Sequence, residues 1–165
     1  MKKIYTKNGI RVIIPQSTLD HMEAHADVDF DILAEACKKI DYHGGFYKDS
    51  INMGRVIGKT TCVEVGPDDD VQYFYRKKRK GTTPFVKGRE PEDTTNIVVI
   101  FREGKYGNPM LLTSWYGNLA PMEPWDARRK NCSEEEIKEC EEFWSTHALI
   151  FDEACIDAER KEAYV

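Results

Sequence analysis

Apolar residues recur every three or four positions in the first third of the chain, which is the spacing of amphipathic helices. One such stripe runs from Phe30 to Ile40, and a shorter helix is predicted over residues 19–26. Each segment is preceded by side chains that can cap a helix: Ser17 or Thr18 for the first, and Asp27 or Asp29 for the second. The pattern therefore predicts two N-terminal helices.

The pattern changes to that of strands beyond the turn at Gly44 and Gly45. Four segments are predicted as the strands of one antiparallel sheet: Thr60 to Val65, Val71 to Lys78, Asn96 to Arg102 and Met110 to Tyr116. The turn at residues 66–70 indicates that the first two form a hairpin, and residues 79–95 are interpreted as a polar loop. The third segment is apolar on both faces, which is typical of a central strand covered on both sides.

A last helix is predicted after residue 130. Asn131 or Ser133 is positioned to cap it, and its apolar stripe continues to His147 and Phe151. Together the elements predict an α+β fold with N-terminal helices, a four-stranded antiparallel sheet and a C-terminal helix. At 165 residues, the chain is expected to form one domain, residues 1–165.

The composition is that of a folded protein, since 41% of the residues are hydrophobic and 32% are charged. No apolar run approaches the roughly 20 residues that cross a bilayer, and the basic N-terminus lacks the apolar stretch of a signal peptide, so a cytoplasmic protein is expected. The net charge of −5 is unevenly distributed: residues 53–130 carry 14 basic and 10 acidic groups, whereas residues 131–165 carry 3 and 11. A polyanion is therefore expected to bind the sheet rather than the last helix.

The five cysteines include no CxxC pair, which argues against a disulfide framework and against a standard zinc site. The sequence also contains no glycine-rich phosphate loop and no acidic metal cluster. We therefore expect neither a metal nor a cofactor.

His21 and His25 lie four residues apart, on one face of the first predicted helix. This spacing suits two metal ligands, but the HExxH order is missing and no third ligand is evident. It also suits acid/base catalysis, because histidine titrates near neutral pH. Two ordinary surface histidines would give the same pattern, so the sequence leaves these interpretations open.

A basic tract, residues 76–80, follows the aromatic end of the second strand. Strand alternation places Arg76 and Lys78 on one face, while Arg79 lies in the loop. With Tyr75 beside them, these cations form the combination that binds single-stranded nucleic acid, in which bases stack on rings and cations neutralise phosphates. A solvated edge strand protected by lysines is the alternative.

The fourth strand ends in side chains that carry hydroxyl groups. Thr113, Ser114 and Tyr116 are candidates for phosphate contacts, and Arg102 on the neighbouring strand is a candidate for stabilising developing charge. Threonine and tyrosine are also common in strands for their β propensity alone.

The order of these features resembles the metal-independent ribonuclease superfamily that includes barnase, EndoU, the colicin nucleases and RelE, and particularly its compact phage and polymorphic-toxin members. The resemblance covers residues 17–118 and rests on the histidine helix, the strand from Thr60, the basic strand through Arg76 and the segment 111–116. It leaves the C-terminal helical extension, residues 119–165, unexplained.

The resemblance implies cleavage of RNA by attack of a ribose 2′-hydroxyl on the adjacent phosphate, without a metal or cofactor. Carried over to this sequence, it makes His21 or His25 the base, Arg76 or Arg102 the charge stabiliser, and Thr113 with Tyr116 the phosphate contacts. It further implies RNA, including tRNA, as the substrate and an immunity or antitoxin protein as a partner.

Two other functions fit the same residues. One is a non-catalytic module of mobile-element origin that binds protein or nucleic acid through the sheet and the basic loop. The other is a protein that sequesters a nucleotide with Arg76, Arg79 and the neighbouring aromatic side chains.

Overall fold

The structure is a computed structural model that describes residues 3–25, 28–157 and 159–160, and of residues 23–25 it describes the backbone alone. Its α-helices are α1 (Gln16–His25), α2 (Phe30–Cys37) and α3 (Glu134–Thr146). Its strands are β1 (Ile4–Tyr5), β2 (Arg11–Val12), β3 (Tyr47–Asn52), β4 (Gly58–Thr60), β5 (Cys62–Glu64), β6 (Asp70–Tyr75), β7 (Thr82–Lys87), β8 (Glu92–Thr94), β9 (Asn96–Glu103), β10 (Pro109–Tyr116) and β11 (His147–Ile150). Short 3-10 helices lie at Ala127–Asn131 and Glu153–Cys155.

The chain divides into two compact units, each made of two stretches of sequence. Unit 1 comprises Met1–Thr60 and Asp93–Leu119, and unit 2 comprises Thr61–Glu92 and Ala120–Val165. The assignment of the whole chain to one domain stays a prediction.

Unit 1 contains an antiparallel sheet of order β10-β9-β3. The central strand β9 places Val99 and Phe101 in a core shared with Leu33 of α2. Asp29 caps α2 by accepting hydrogen bonds from the backbone N–H groups of the first turn, as one of the two predicted alternatives required. The other alternative, Asp27, lies outside the described residues. The predicted central strand is confirmed, whereas α2 ends three residues before Ile40.

Unit 2 contains a mixed sheet of order β5-β11-β7-β6. Strand β11 pairs antiparallel with β5 and parallel with β7. Val63, Val86 and Ala148 form one apolar cluster on this sheet, and Phe74, Phe85 and Ile156 form another. Helix α3 begins with the predicted Ser133 cap, which forms a reciprocal capping box with Glu136.

The α+β class is confirmed, but the single four-stranded antiparallel sheet is wrong. Strand β5 pairs with β11 instead of β6, and the partner of β6 is β7, within the segment predicted as a polar loop. Gly81, Pro84 and Gly88 made that segment resemble a loop. Pairing between distant segments determines the neighbour of β5, because β11 places the buried Ala148 opposite the buried Val63 of β5.

The structure corrects two further boundaries. Helix α3 ends at Thr146, and the apolar residues predicted to extend it lie in and just beyond strand β11. Strand β3, with Lys48, Asp49 and Ser50 in its middle, was missed because it lacks an apolar alternation. Within the described part of the chain, no helix is both long and apolar enough to cross a membrane.

Candidate functional site

A buried carboxylate in unit 2 joins the β6–β7 hairpin to the segment 120–126. Glu123 is 6% exposed. Its Oε1 accepts a hydrogen bond from Arg76 Nη2, and its Oε2 accepts from Thr83 Oγ1 at 2.6 Å and from Trp125 Nε1 at 2.7 Å. Arg76 Nε also donates to Thr83 Oγ1 at 3.0 Å. Because a buried carboxylate is stable only with such partners, these four residues, the Glu123 cluster, fasten the two segments together.

The indole of Trp125 makes a second attachment at the start of β7. A Cβ atom added to Gly81 would lie 2.1 Å from Cγ of Trp125. No side chain fits in that space, so this close approach of ring and backbone requires glycine.

Both segments held by the Glu123 cluster lead directly into exposed cations. We call these seven residues the basic surface: Lys77, Lys78, Arg79 and Lys80 of the β6–β7 turn, and Arg128, Arg129 and Lys130 of the first 3-10 helix. The turn is tight, since Lys78 has a left-handed φ of 62° and Arg79 N–H donates to the carbonyl of Arg76 at 3.1 Å.

Asp126 lies between the two halves of the basic surface. It caps the 3-10 helix by accepting from Arg128 N–H at 2.9 Å, and it accepts from the Arg128 guanidinium at 2.8 and 3.1 Å. These hydrogen bonds, with a smaller contribution from the charge of Arg79, lower the pKa of Asp126 to about 2. The turn and the 3-10 helix therefore contribute to one region of positive potential.

Tyr75, the predicted stacking residue, already has a cation on its ring. The guanidinium carbon of Arg160 lies 3.7 Å from the ring centroid, and Arg160 Nη1 donates to the carbonyl of Arg79 at 3.4 Å. A base would therefore compete with Arg160 for this face of the tyrosine.

In unit 1, strand register places Thr113 and Arg102 on the same face of the sheet. Thr113 is opposite Ile100, and Ile100 and Arg102 are two residues apart on β9. This face is opposite to the one on which Val99 and Phe101 enter the core. A register shift between Leu111 and Thr113 marks a bulge in β10, a feature that is common beside functional sites.

Two other predicted residues of β10 have structural roles. Ser114 is 2% exposed, and its hydroxyl donates to the carbonyl of Val98 at 2.6 Å. The hydroxyl of Tyr116 accepts from Asp29 N–H at 2.9 Å, and the tyrosine ring packs closely against Gly58. Both hydroxyls therefore already contact the backbone of unit 1.

Helix α1 runs beside β10, in the same direction. Ile13, ahead of the helix, bridges Met110 in parallel, and Thr18 Oγ1 donates to the carbonyl of Leu111 at 3.0 Å. At the other end, Asp29 contacts Tyr116. His21 is exposed and lies one helical turn after Thr18, the residue that contacts β10. The side chain of His25 lies outside the described residues.

The ten predicted site residues thus divide between the two units. Unit 1 contains His21, His25, Arg102, Thr113, Ser114 and Tyr116, whereas unit 2 contains Tyr75, Arg76, Lys78 and Arg79. Sequence reasoning missed Glu123, Trp125 and the cations 128–130. The run of three cations was a visible signal, but nothing in the sequence indicated that it lies beside the β6–β7 turn.

Among the described residues, no group of three or more histidine, cysteine, aspartate or glutamate side chains is arranged to hold a metal ion. Comparisons of the chain with protein-family models, with curated proteins and with solved structures found no match.

Proposed function

We propose that this protein binds RNA through the basic surface of unit 2. The observation that carries the proposal is the Glu123 cluster, which holds the β6–β7 turn and the first 3-10 helix together in one fixed arrangement. A fixed array of cations loses less conformational entropy on binding than the same cations on separate flexible segments.

The energy of such binding comes mainly from phosphate neutralisation. Each Lys or Arg that meets a phosphate of a single strand releases condensed counterions. This makes the negative slope of log Kobs against log salt steeper by about 0.7. Arg128 is also engaged with Asp126, so the other six cations are the principal contacts. We expect a Kd of roughly 1–100 µM at physiological salt, as is usual for sequence-independent binding.

Fluorescence anisotropy with a labelled single-stranded RNA tests this proposal. The double variant Lys78→Ala/Arg79→Ala should reduce the magnitude of the salt slope by about 1.4, because it removes two phosphate contacts. The control Lys105→Ala/Lys138→Ala removes the same charge from exposed positions elsewhere and should leave the slope unchanged. Equal slopes for the two double variants, or no binding by the wild type, would exclude the basic surface as an RNA site.

The position of α1 favours a second candidate function, metal-independent cleavage of RNA. His21 lies one helical turn from Thr18, which contacts β10, the strand that carries Thr113, and Arg102 shares a sheet face with Thr113. In this proposal His21 removes the proton from a ribose 2′-hydroxyl, which attacks the adjacent phosphate, and Arg102 stabilises the charge that develops on the phosphate. RNA supplies its own nucleophile, so these unit 1 residues constitute a minimal catalytic set.

An RNA-cleavage assay with EDTA present tests this second function. Wild-type protein should produce 2′,3′-cyclic phosphate ends, and His21→Ala should slow cleavage by about 100- to 10,000-fold. His43→Ala, at another exposed histidine of unit 1, is the matched control and should retain full activity. Absence of cleavage, or full activity in His21→Ala, would rule out the mechanism and leave the RNA-binding proposal intact.

A further inference from the structure

Unit 2 contains an open cavity of about 430 Å³ between strand β6, the turn before it and the end of α3. This volume is within the range of small-ligand sites. Val65 and Val71 form an apolar part of its wall, and Tyr73 and Trp144 contribute aromatic rings. Pro67 adds apolar surface, and the polar side chains of the wall are Asp69, Ser145, Thr146 and His147. Their hydrogen bonds determine which ligands fit.

Three donors around the cavity, the hydroxyls of Ser145 and Thr146 and the indole of Trp144, already have partners within the protein. Ser145 Oγ donates to the carbonyl of Glu142 at 2.6 Å, and Thr146 Oγ1 donates to the carbonyl of Phe143 at 3.2 Å or of Glu142 at 3.3 Å. Trp144 Nε1 donates to the carbonyl of Pro121 at 3.0 Å. The Ser145 and Thr146 oxygens therefore retain only acceptor capacity toward a ligand, and the indole contributes only its ring. The Tyr73 hydroxyl can donate or accept.

His147 also presents an acceptor to the cavity. Its ring stacks on Phe143 with centroids 3.9 Å apart, and its Nδ1 lies 2.9 Å from the carbonyl oxygen of Phe143. Thr146 Oγ1 lies at the same distance from Nδ1, 2.9 Å. The hydrogen bond to the Phe143 carbonyl requires a proton on Nδ1, because a carbonyl only accepts, and Thr146 Oγ1 can share that proton as a second acceptor. With Nδ1 protonated in the neutral ring, Nε2 keeps the lone pair. His147 thus adds another acceptor to the wall.

Asp69 adds negative charge to the same wall. Hydrogen bonds from Gly66 N–H, at 2.7 Å, and from Arg89, at 3.2 Å, lower the pKa of its carboxyl. Arg89 Nη2 also donates to Glu92 Oε2 at 2.7 Å. One guanidinium therefore pairs with two carboxylates, and a net negative charge remains. The carbonyl end of α3 adds further negative potential.

We propose that this cavity binds an organic cation, a guanidinium or alkylammonium group, which donates to Asp69 and His147 Nε2 and packs on the ring of Tyr73. A donor-rich cation matches a wall of acceptors, and aromatic rings attract cations through their faces. An anionic ligand would be repelled by the charge of Asp69 and would meet few donors in the wall. The site is independent of RNA binding, because the basic surface lies at the opposite end of the β6–β7 hairpin.

Titration of the isotope-labelled 165-residue chain with N-acetyl-arginine amide, followed by NMR, tests the proposal. We expect shifts confined to residues 65–73 and 143–147 and a Kd of roughly 1–10 mM, typical of a single small group. Spermidine forms a second arm: tighter binding of arginine amide identifies a peptide side chain as the natural ligand, and tighter binding of spermidine identifies a free polyamine.

Two variants and one neutral probe make the test decisive. Asp69→Asn should weaken binding about tenfold, and His147→Phe, which keeps the stack on Phe143, should weaken it about threefold. Gln72→Ala, on the opposite face of β6, should bind like the wild type. N-acetyl-norleucine amide, which has a similar length and no charge, should not bind. Equal binding of this neutral probe, no shifts with either cation, or wild-type affinity in both Asp69→Asn and His147→Phe would overturn the proposal.

Discussion

Replacement of Glu123 by glutamine gives the sharpest test of the cluster on which the RNA-binding surface depends. Glutamine has nearly the same shape, but its amide group offers two donors where the carboxylate offered acceptors. An amide nitrogen in the place of Oε1 would face the Arg76 donor, and in the place of Oε2 it would face the donors of both Thr83 and Trp125. Arg76 would also lose its counter-charge.

The size of the effect follows from burial. Removing one partner of a fully buried ion pair costs about 3–5 kcal/mol. The side chain of Glu123 is 7% exposed and that of Arg76 is 28% exposed, so the guanidinium regains part of its hydration and the cost is smaller. We expect Glu123→Gln to lower the free energy of unfolding by about 2–4 kcal/mol.

Urea unfolding, monitored by circular dichroism, measures this loss. With an m-value of about 1.5 kcal/mol/M, the unfolding midpoint should fall by roughly 1.3–2.7 M. Glu135→Gln, which removes the same charge from the exposed first turn of α3, is the matched control and should remain within about 0.5 kcal/mol of the wild type. A loss below about 1 kcal/mol in Glu123→Gln would refute the view that this carboxylate fastens the segment 120–126 to the hairpin.

Three further predictions concern the same chain. Gly81→Ala should destabilise the protein by about 1–3 kcal/mol in urea unfolding, because the added methyl group would overlap the ring of Trp125. The carboxyl carbon of Asp126 should titrate by NMR with a midpoint near pH 2, and Arg128→Gln should raise that midpoint. The associated stabilisation is complete above the ordinary aspartate pKa of about 3.9 and is lost as the pH falls toward 2. Cys37, whose thiol pKa burial raises to about 12, should resist a disulfide reagent at pH 8 until the protein unfolds.

Matched controls separate these effects from general damage. Gly66→Ala introduces a methyl group at ordinary contact distance, 3.9 Å from Asp69, and should cost much less than Gly81→Ala. Cys155, which is exposed, should react with the reagent before Cys37 in the folded protein. A Gly66→Ala effect as large as that of Gly81→Ala, an Asp126 midpoint near 4, or early reaction of Cys37 would contradict the corresponding prediction.

Local signals in the sequence predicted the starts of two helices and the central strand of unit 1. Asp29 and Ser133 are N-caps as their side-chain chemistry predicts, and the continuous apolar run of β9 marks the centre of the unit 1 sheet. These features depend on residues within one turn or one strand, where propensity and capping act directly.

Long-range pairing was beyond the reach of the same reasoning. The segment after Thr146 continues the helical spacing of apolar residues, yet it forms β11, because two strands from elsewhere in unit 2 offer it backbone partners on both sides. The surroundings of Arg76 were beyond local reasoning for a similar reason: Arg76 was predicted as an available cation, but its partner Glu123 lies 47 positions away in sequence. Neither the pairing of β11 with β5 and β7 nor that of Arg76 with Glu123 is indicated by the sequence of the segments that separate the partners.

Strand β11 has a consequence for the order in which the protein becomes structured. It lies between β5 and β7, so the sheet of unit 2 has no continuous hydrogen-bonded ladder until residues near 150 join residues near 62 and 85. Bringing such distant segments together requires closure of a long loop before any contact is gained, which is characteristic of slow folding. During synthesis, β5 and the β6–β7 hairpin would therefore remain unpaired with each other until residues 147–150 are made. Until then, the backbone edges of β5 and β7 could pair with wrong strands.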